Sequence, residues 1–325
     1  MKKLAVCLAA ILLVGCGAWK GDYNRNSQNQ TAAYFDGAVY HIDETTLYRD
    51  GEAVISLPEG SWFESITASE DAVYTLVDFG KVMRTDESGS AILYEAEDAS
   101  FESMAMDIEI WQDKLYLSCI YGMTCIDTDG TELWTNDDMG IFDCVGDDWV
   151  YYIDEDSILR FDTLDADTEF ADGEVIYTLG DADPAAKLRG IKAVAADDAG
   201  NLYYAVSHYE NLATRIEPTH KGEVFFDRTL TVAMLDAKTG ARTELFTTEG
   251  HTMLGGFQYT DALYIGTNGK VWRWDGKLSE AAVCPQAEYM HPDSFYANSE
   301  FILTPDGIVT EHHSRFASKD MNTIP

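Results

Sequence analysis

The feature that most constrains this chain is a repeated dipeptide. An aliphatic residue followed by an aromatic one recurs as Val39-Tyr40, Val73-Tyr74, Leu115-Tyr116, Val150-Tyr151, Leu202-Tyr203 and Leu263-Tyr264, with a degenerate copy at Phe301-Ile302. The mean spacing is about 42 residues, within the range of repeats that build propeller blades. A looser marker precedes all but the first pair: Phe63, Phe101, Phe142, Ile191, Phe257 and Phe295. Each pair opens a segment of strand composition, followed by a turn and a second strand. The third unit reads Lys114–Ser118, a turn around Gly122, Thr124–Asp127, then Asp129-Gly130. The sixth places Asn268-Gly269 between apolar strands, the strongest short hairpin signal. Alternation with period two fits strands, not amphipathic helices. Proline is scarce, 7 in all, as central strands require. The predicted fold is all-β: a β-propeller of seven four-stranded blades, with six or eight also compatible with the spacing. Radial repetition leaves only short, protected strand edges. One domain, residues 31–325, is expected, with an insertion at 207–227. The last outer strand should come from the C-terminal tail or from residues 23–32.

The order of Leu-Tyr, Gly, Asp and Gly-x-x-x-Trp in units three, five and six resembles the pyrroloquinoline-quinone-type, or quinoprotein-like, propeller repeat. That resemblance implies the fold alone, since enzymes and binding proteins share it. The quinone-using enzymes carry a vicinal cysteine pair and an acidic base beside calcium. This chain has no Cys-Cys and no evident metal-ligand set. No cofactor is therefore expected.

The N-terminus opens with Lys2 and Lys3, then an apolar run from Leu4 to Val14. The run is too short to span a bilayer, which takes about 20 residues. It has the length of a signal-peptide core. It ends in Leu13-Val14-Gly15-Cys16, which resembles a bacterial lipobox. The resemblance implies a signal peptide over residues 1–15 and lipid, palmitate included, on Cys16. Residues 16–30, rich in Asn and Gln, read as a polar tether. Several acyl chains on one cysteine would hold the protein at a cell or outer membrane, facing away from the cytoplasm.

The charge narrows the partners. Lys and Arg number 22 against 57 Asp and Glu, a formal charge of −35. Losing residues 1–15 removes two lysines and no acid, which takes −35 to −37. Such a surface excludes phosphate recognition, so no nucleic acid partner is expected. A cationic partner fits better: an envelope or extracellular protein, or a small ligand.

Within the repeat, the residue after each marker gives Glu64, Glu102, Asp143, Lys192, Gln258 and Tyr296. At equivalent positions these would line the channel mouth as a partly acidic ring. Trp62 and Phe101, with His251 and His291, fall in inter-blade loops and are candidates for recognition. Asp162 to Asp183 forms an acidic stretch in the fourth unit. Asp127-x-Asp129-Gly130 and Asp154-Glu155-Asp156 suggest calcium, but neither continues as a twelve-residue calcium loop. Asp-Gly is equally turn chemistry. Cys119 and Cys125 flank Gly122 symmetrically and could face each other as a disulfide, or fill core space as thiols. No HExxH or Gly-x-Ser-x-Gly motif is present. The sequence therefore favours a non-catalytic ligand- or protein-binding propeller. The alternative is a hydrolase or lyase using channel-mouth carboxylates with His251 or His291. A third reading resembles the propeller lipoproteins that scaffold outer-membrane protein assembly.

Overall fold

The computed structural model describes residues 31–96, 104–140, 142–146, 148–154, 156–180, 188–209, 228–248, 254–267, 269–283, 301–310 and 322–324. These fold into seven antiparallel sheets, each a meander of consecutive strands. Six sheets have four strands and span residues 32–56, 63–95, 105–136, 144–178, 188–248 and 254–283. They are blades 1 to 6. Blade 7 has three described strands, Phe301–Thr304, Gly307–Thr310 and Asn322–Ile324. Its outer strand comes from the C-terminal tail, one of the two expected sources. The repeat would place its innermost strand within residues 284–300, outside the described residues.

The blades form a ring. The first strand of blade 2, Phe63–Ala68, lies between those of blade 1, Ala32–Phe35, and blade 3, Ala105–Trp111. The first strands of blades 4, 5 and 6 are likewise neighbours. Blade 1 also touches blade 7 through Ala32–Phe35 and Phe301–Thr304.

The register explains the repeated dipeptide. It opens the second strand of each blade, where successive side chains point to opposite faces of the sheet. Both faces of that strand are covered by neighbouring blades. Val73 joins the cluster shared with blade 1, and Tyr74 the cluster shared with blade 3. Leu115 packs back on blade 2, and Tyr116 forward on blade 4. The same division holds for Val150 and Tyr151, Leu202 and Tyr203, and Leu263 and Tyr264. Even the degenerate pair obeys it, with Phe301 against blade 6 and Ile302 against blade 1. One apolar residue per face is what a strand between two blades needs, and a dipeptide supplies both.

Turn aspartates cap their own backbone. Asp127 accepts the N–H groups of Asp129 and Thr131, and Asp236 those of Lys238 and Thr239. Hydrogen bonds from Thr131 and Thr239 hold the Asp129 and Asp236 carboxyls below their ordinary range. The acidic stretch is built the same way. Asp165 accepts from Asp167 N–H and the Thr168 hydroxyl, and Arg160 pairs with Glu174 at 2.7 Å. Buried Asn136 pins this stretch, donating to the carbonyls of Asp165 and Thr168 at 2.9 and 2.8 Å.

Two expectations need correction. The hairpin of blade 3 is not centred on Gly122. Ser118 pairs with Met123 and Leu117 with Thr124, so the turn residues are Ile120 and Tyr121. Cys125 therefore lies opposite Tyr116, three steps from Cys119, and both thiols are free. The insertion in blade 5 also begins later than 207. Ser207, His208 and Tyr209 pair with Leu230, Thr229 and Arg228, and residues 210–227 lie outside the described residues.

Candidate binding face of the ring

In a four-stranded meander, the inter-blade links and the turns between second and third strands emerge on one face. The first strands begin there as well. Four first strands carry an extra residue near this end. The pairing skips Glu64 in blade 2, Met106 in blade 3, Lys192 in blade 5 and Gly255 in blade 6. Such a bulge turns the unpaired residue away from the ladder. Glu64 and Lys192 thus occupy equivalent bulge positions in their blades.

The other channel-mouth candidates sit elsewhere. Counted on the same register, Asp143 lies two steps further along its strand than Glu64, and Gln258 three. Gln258 is buried. Asp143 works within its own sheet: its N–H donates to Tyr151 O at 2.9 Å, and its Oδ2 accepts Ile153 N–H at 2.6 Å. Burial pushes its carboxyl up to about 6, against the lowering effect of that N–H. The aromatic marker misled because it occupies different rungs in different blades. Phe63 precedes its bulge, whereas Phe257 follows. Glu102, Tyr296, Phe101, His251 and His291, like Cys16, lie outside the described residues. Among the described residues, no group of three or more His, Cys, Asp or Glu side chains is placed to hold a metal ion.

Trp62 is 41% exposed at the entrance to blade 2. It stands edge-on to Phe79, with ring centroids 5.6 Å apart. Phe79 and Asp78 form a tight turn with φ of 59° and 51°, a left-handed conformation that usually selects Asn-Gly. Asp78 fastens the turn: its carboxylate accepts Trp62 N–H at 3.1 Å and the Ser61 hydroxyl at 3.0 Å. Beside it, Glu64 is half-buried, and among the described residues its Oε1 has no hydrogen-bond partner. Burial, then the charge of Asp78, raises the Glu64 carboxyl above its ordinary value. The sequence also gave no warning of Met106, Ile120 and Tyr121, which are 47%, 37% and 65% exposed on this face. The available signal was an apolar pair, Ile120-Tyr121, at a hairpin tip where Asn, Asp or Gly is usual.

Solved structures share this architecture. The structure of YCF48 bound to D1 peptide matches with a TM-score of 0.53 and 10% identity, over 88% of this chain and 89% of that one. PorZ, a bacterial surface component of the type-IX secretion system of Porphyromonas gingivalis, matches with a TM-score of 0.53 and 11% identity. That match covers 93% of this chain but only 38% of PorZ. A chain of the mitotic checkpoint complex matches with a TM-score of 0.50 and 12% identity, over 81% of each chain. At these identities the likeness establishes the propeller fold. No family model matches the chain, and no curated protein matches it by sequence.

Proposed function

We propose that this chain is a non-catalytic protein-binding propeller, held on the outer side of a bacterial membrane by lipid on Cys16. The observation that carries the binding reading is the exposure of Trp62 and Tyr121, at 41% and 65%, on the face where blade links and turns converge. Large aromatics in such places are the usual anchors of protein interfaces. The likeness to YCF48, a propeller solved with a peptide bound, supports the same reading. The anchor rests on Lys2, Lys3, the run Leu4 to Val14 and the Gly15-Cys16 junction. The charge of −35 gives no attraction to an anionic leaflet, so lipid must supply the attachment.

Crosslinking on intact cells, followed by purification through a C-terminal tag, tests the binding reading. One protein should be recovered repeatedly, and adding it in purified form should raise the melting temperature of this chain. Repeated recovery of nothing, with no melting shift, would count against binding. The anchor has its own test. Cys16→Ser should move the protein from the membrane fraction to the soluble one, while a high-salt wash leaves the wild type in place. Retention of the variant on membranes would remove the lipid from the proposal.

A further inference from the structure

The exposed large apolar side chains among the described residues fall into two groups. Val54, Ile92, Leu133, Val175 and Val283 are spread singly over the outer strands of five blades. Trp62, Met106, Ile120 and Tyr121 are gathered on one face of blades 2 and 3. Scattered residues need no explanation, but a contiguous group does.

Backbone hydrogen bonds establish the contiguity. Asp78 N–H donates to Trp62 O at 3.1 Å, and Ala105 N–H donates across the blade boundary to Phe79 O at 2.7 Å. Ile120 N–H then donates to Met104 O at 3.1 Å. These bonds tie the Trp62 link, the Phe79 turn, the bulge at Met106 and the Ile120-Tyr121 turn into one ridge. Gly122 fixes its far end. A Cβ there would lie 2.2 Å from Asn136 O, so the turn sits directly on the backbone of residues 136 and 137.

The rim of the ridge is acidic. Glu64 and Asp78 stand at the Trp62 end, and exposed Asp137 and Asp138 follow Asn136 at the Tyr121 end. Lys81 already bridges Asp78 at 3.8 Å and Glu95 at 3.4 Å. Among the described residues no donor reaches buried Glu64 Oε1, and a buried acceptor of that kind is costly unless something supplies one.

We propose that the ridge of Trp62, Phe79, Met106, Ile120 and Tyr121 is the docking surface for a peptide segment bearing an aliphatic or aromatic side chain next to Lys or Arg. The apolar side chain covers the ridge, and the cation reaches the carboxylates at its rim. The proposal rests on the protein-binding reading and adds the surface and the chemistry of its partner.

A peptide display library panned against the full chain tests it. Selected peptides should be enriched in Lys or Arg beside aromatic or aliphatic residues. Trp62→Ala and Tyr121→Ala should each weaken the best peptide at least about tenfold. Glu64→Gln should weaken it and flatten its salt dependence. Ile92→Ala, on an outer strand, should leave it unchanged. Hydrogen exchange on the wild type provides a readout that needs no variant: peptide should protect amides near residues 62–64 and 118–122, and not those of 242–248. Peptides that bind all variants equally, or that lack basic residues, overturn this surface and leave the binding reading intact. Self-association through the ridge without peptide enrichment gives the place to a second copy of the chain and overturns the proposed partner. A library that yields no binder overturns both readings.

Discussion

Asp143 shows what one carboxylate does where a strand ends early. The first strand of blade 4 is only Cys144–Val145, and Asp143 extends it with its own N–H and a side-chain oxygen. The cost is a carboxyl raised to about 6 by burial. Its folded value lies above its unfolded one, so the folded state keeps a proton that the unfolded state has lost. This group therefore favours folding at low pH, and that contribution falls as pH rises from about 4 to about 6. The amount is about 3 kcal/mol. Asp143→Asn keeps the acceptor for Ile153 N–H and removes the titration. Denaturant midpoints between pH 4 and 7 should therefore differ in slope between wild type and variant, with the wild type losing more stability towards neutrality. Parallel curves would refute that assignment. The bulge positions of Glu64 and Lys192 have a sequence signal, since each sits one residue after its apolar marker and one before its ladder resumes. Asp143 and Gln258 were misplaced because a bulge, or its absence, moves a side chain to another rung without changing residue spacing.

Between elements, the unit of stability is the boundary between blades. Tyr74 and Leu115 face each other's blades within one buried cluster, whereas Tyr203 belongs to another on the far side of the ring. Tyr74→Ala and Leu115→Ala should each cost roughly 2–5 kcal/mol. Because they share a cluster, their combined effect should depart from the sum by at least about 0.5 kcal/mol, while Tyr74→Ala with Tyr203→Ala should add. Equilibrium unfolding of the single and double variants measures both. Additivity within the Tyr74–Leu115 pair would show that the two sides of the boundary do not respond to one another. The elements themselves were readable, since alternation and Asp- or Gly-containing turns marked the hairpins. The turn at Ile120-Tyr121 was not. Its centre is fixed by the pairing of Ser118 with Met123, which no residue type announces, and Gly122 is there for close approach to Asn136.

The whole ring closes where blade 7 meets blade 1. Asn322–Ile324 pairs with Gly307–Thr310, and blade 7 in turn lies against the first strand of blade 1. Each ladder hydrogen bond contributes about 1 kcal/mol net. Removing residues 320–325 should lower the melting temperature by about 5 °C, read by circular dichroism. An unchanged melting temperature would mean that blade 7 holds without its outer strand. Closure by the tail was one of two sources the sequence offered, because the strand signal there is only three residues long. Among the described residues, the joint between blades 7 and 1 buries Ala32, Ile302 and Val309, with Tyr34 and Val39 packed against them. Were lipid on Cys16 to hold the chain as proposed, tension would enter through Ala32–Phe35, the strand that borders this joint. The clasp between blades 7 and 1 would then bear the load, so the contact that completes the circle is also the one nearest the tether.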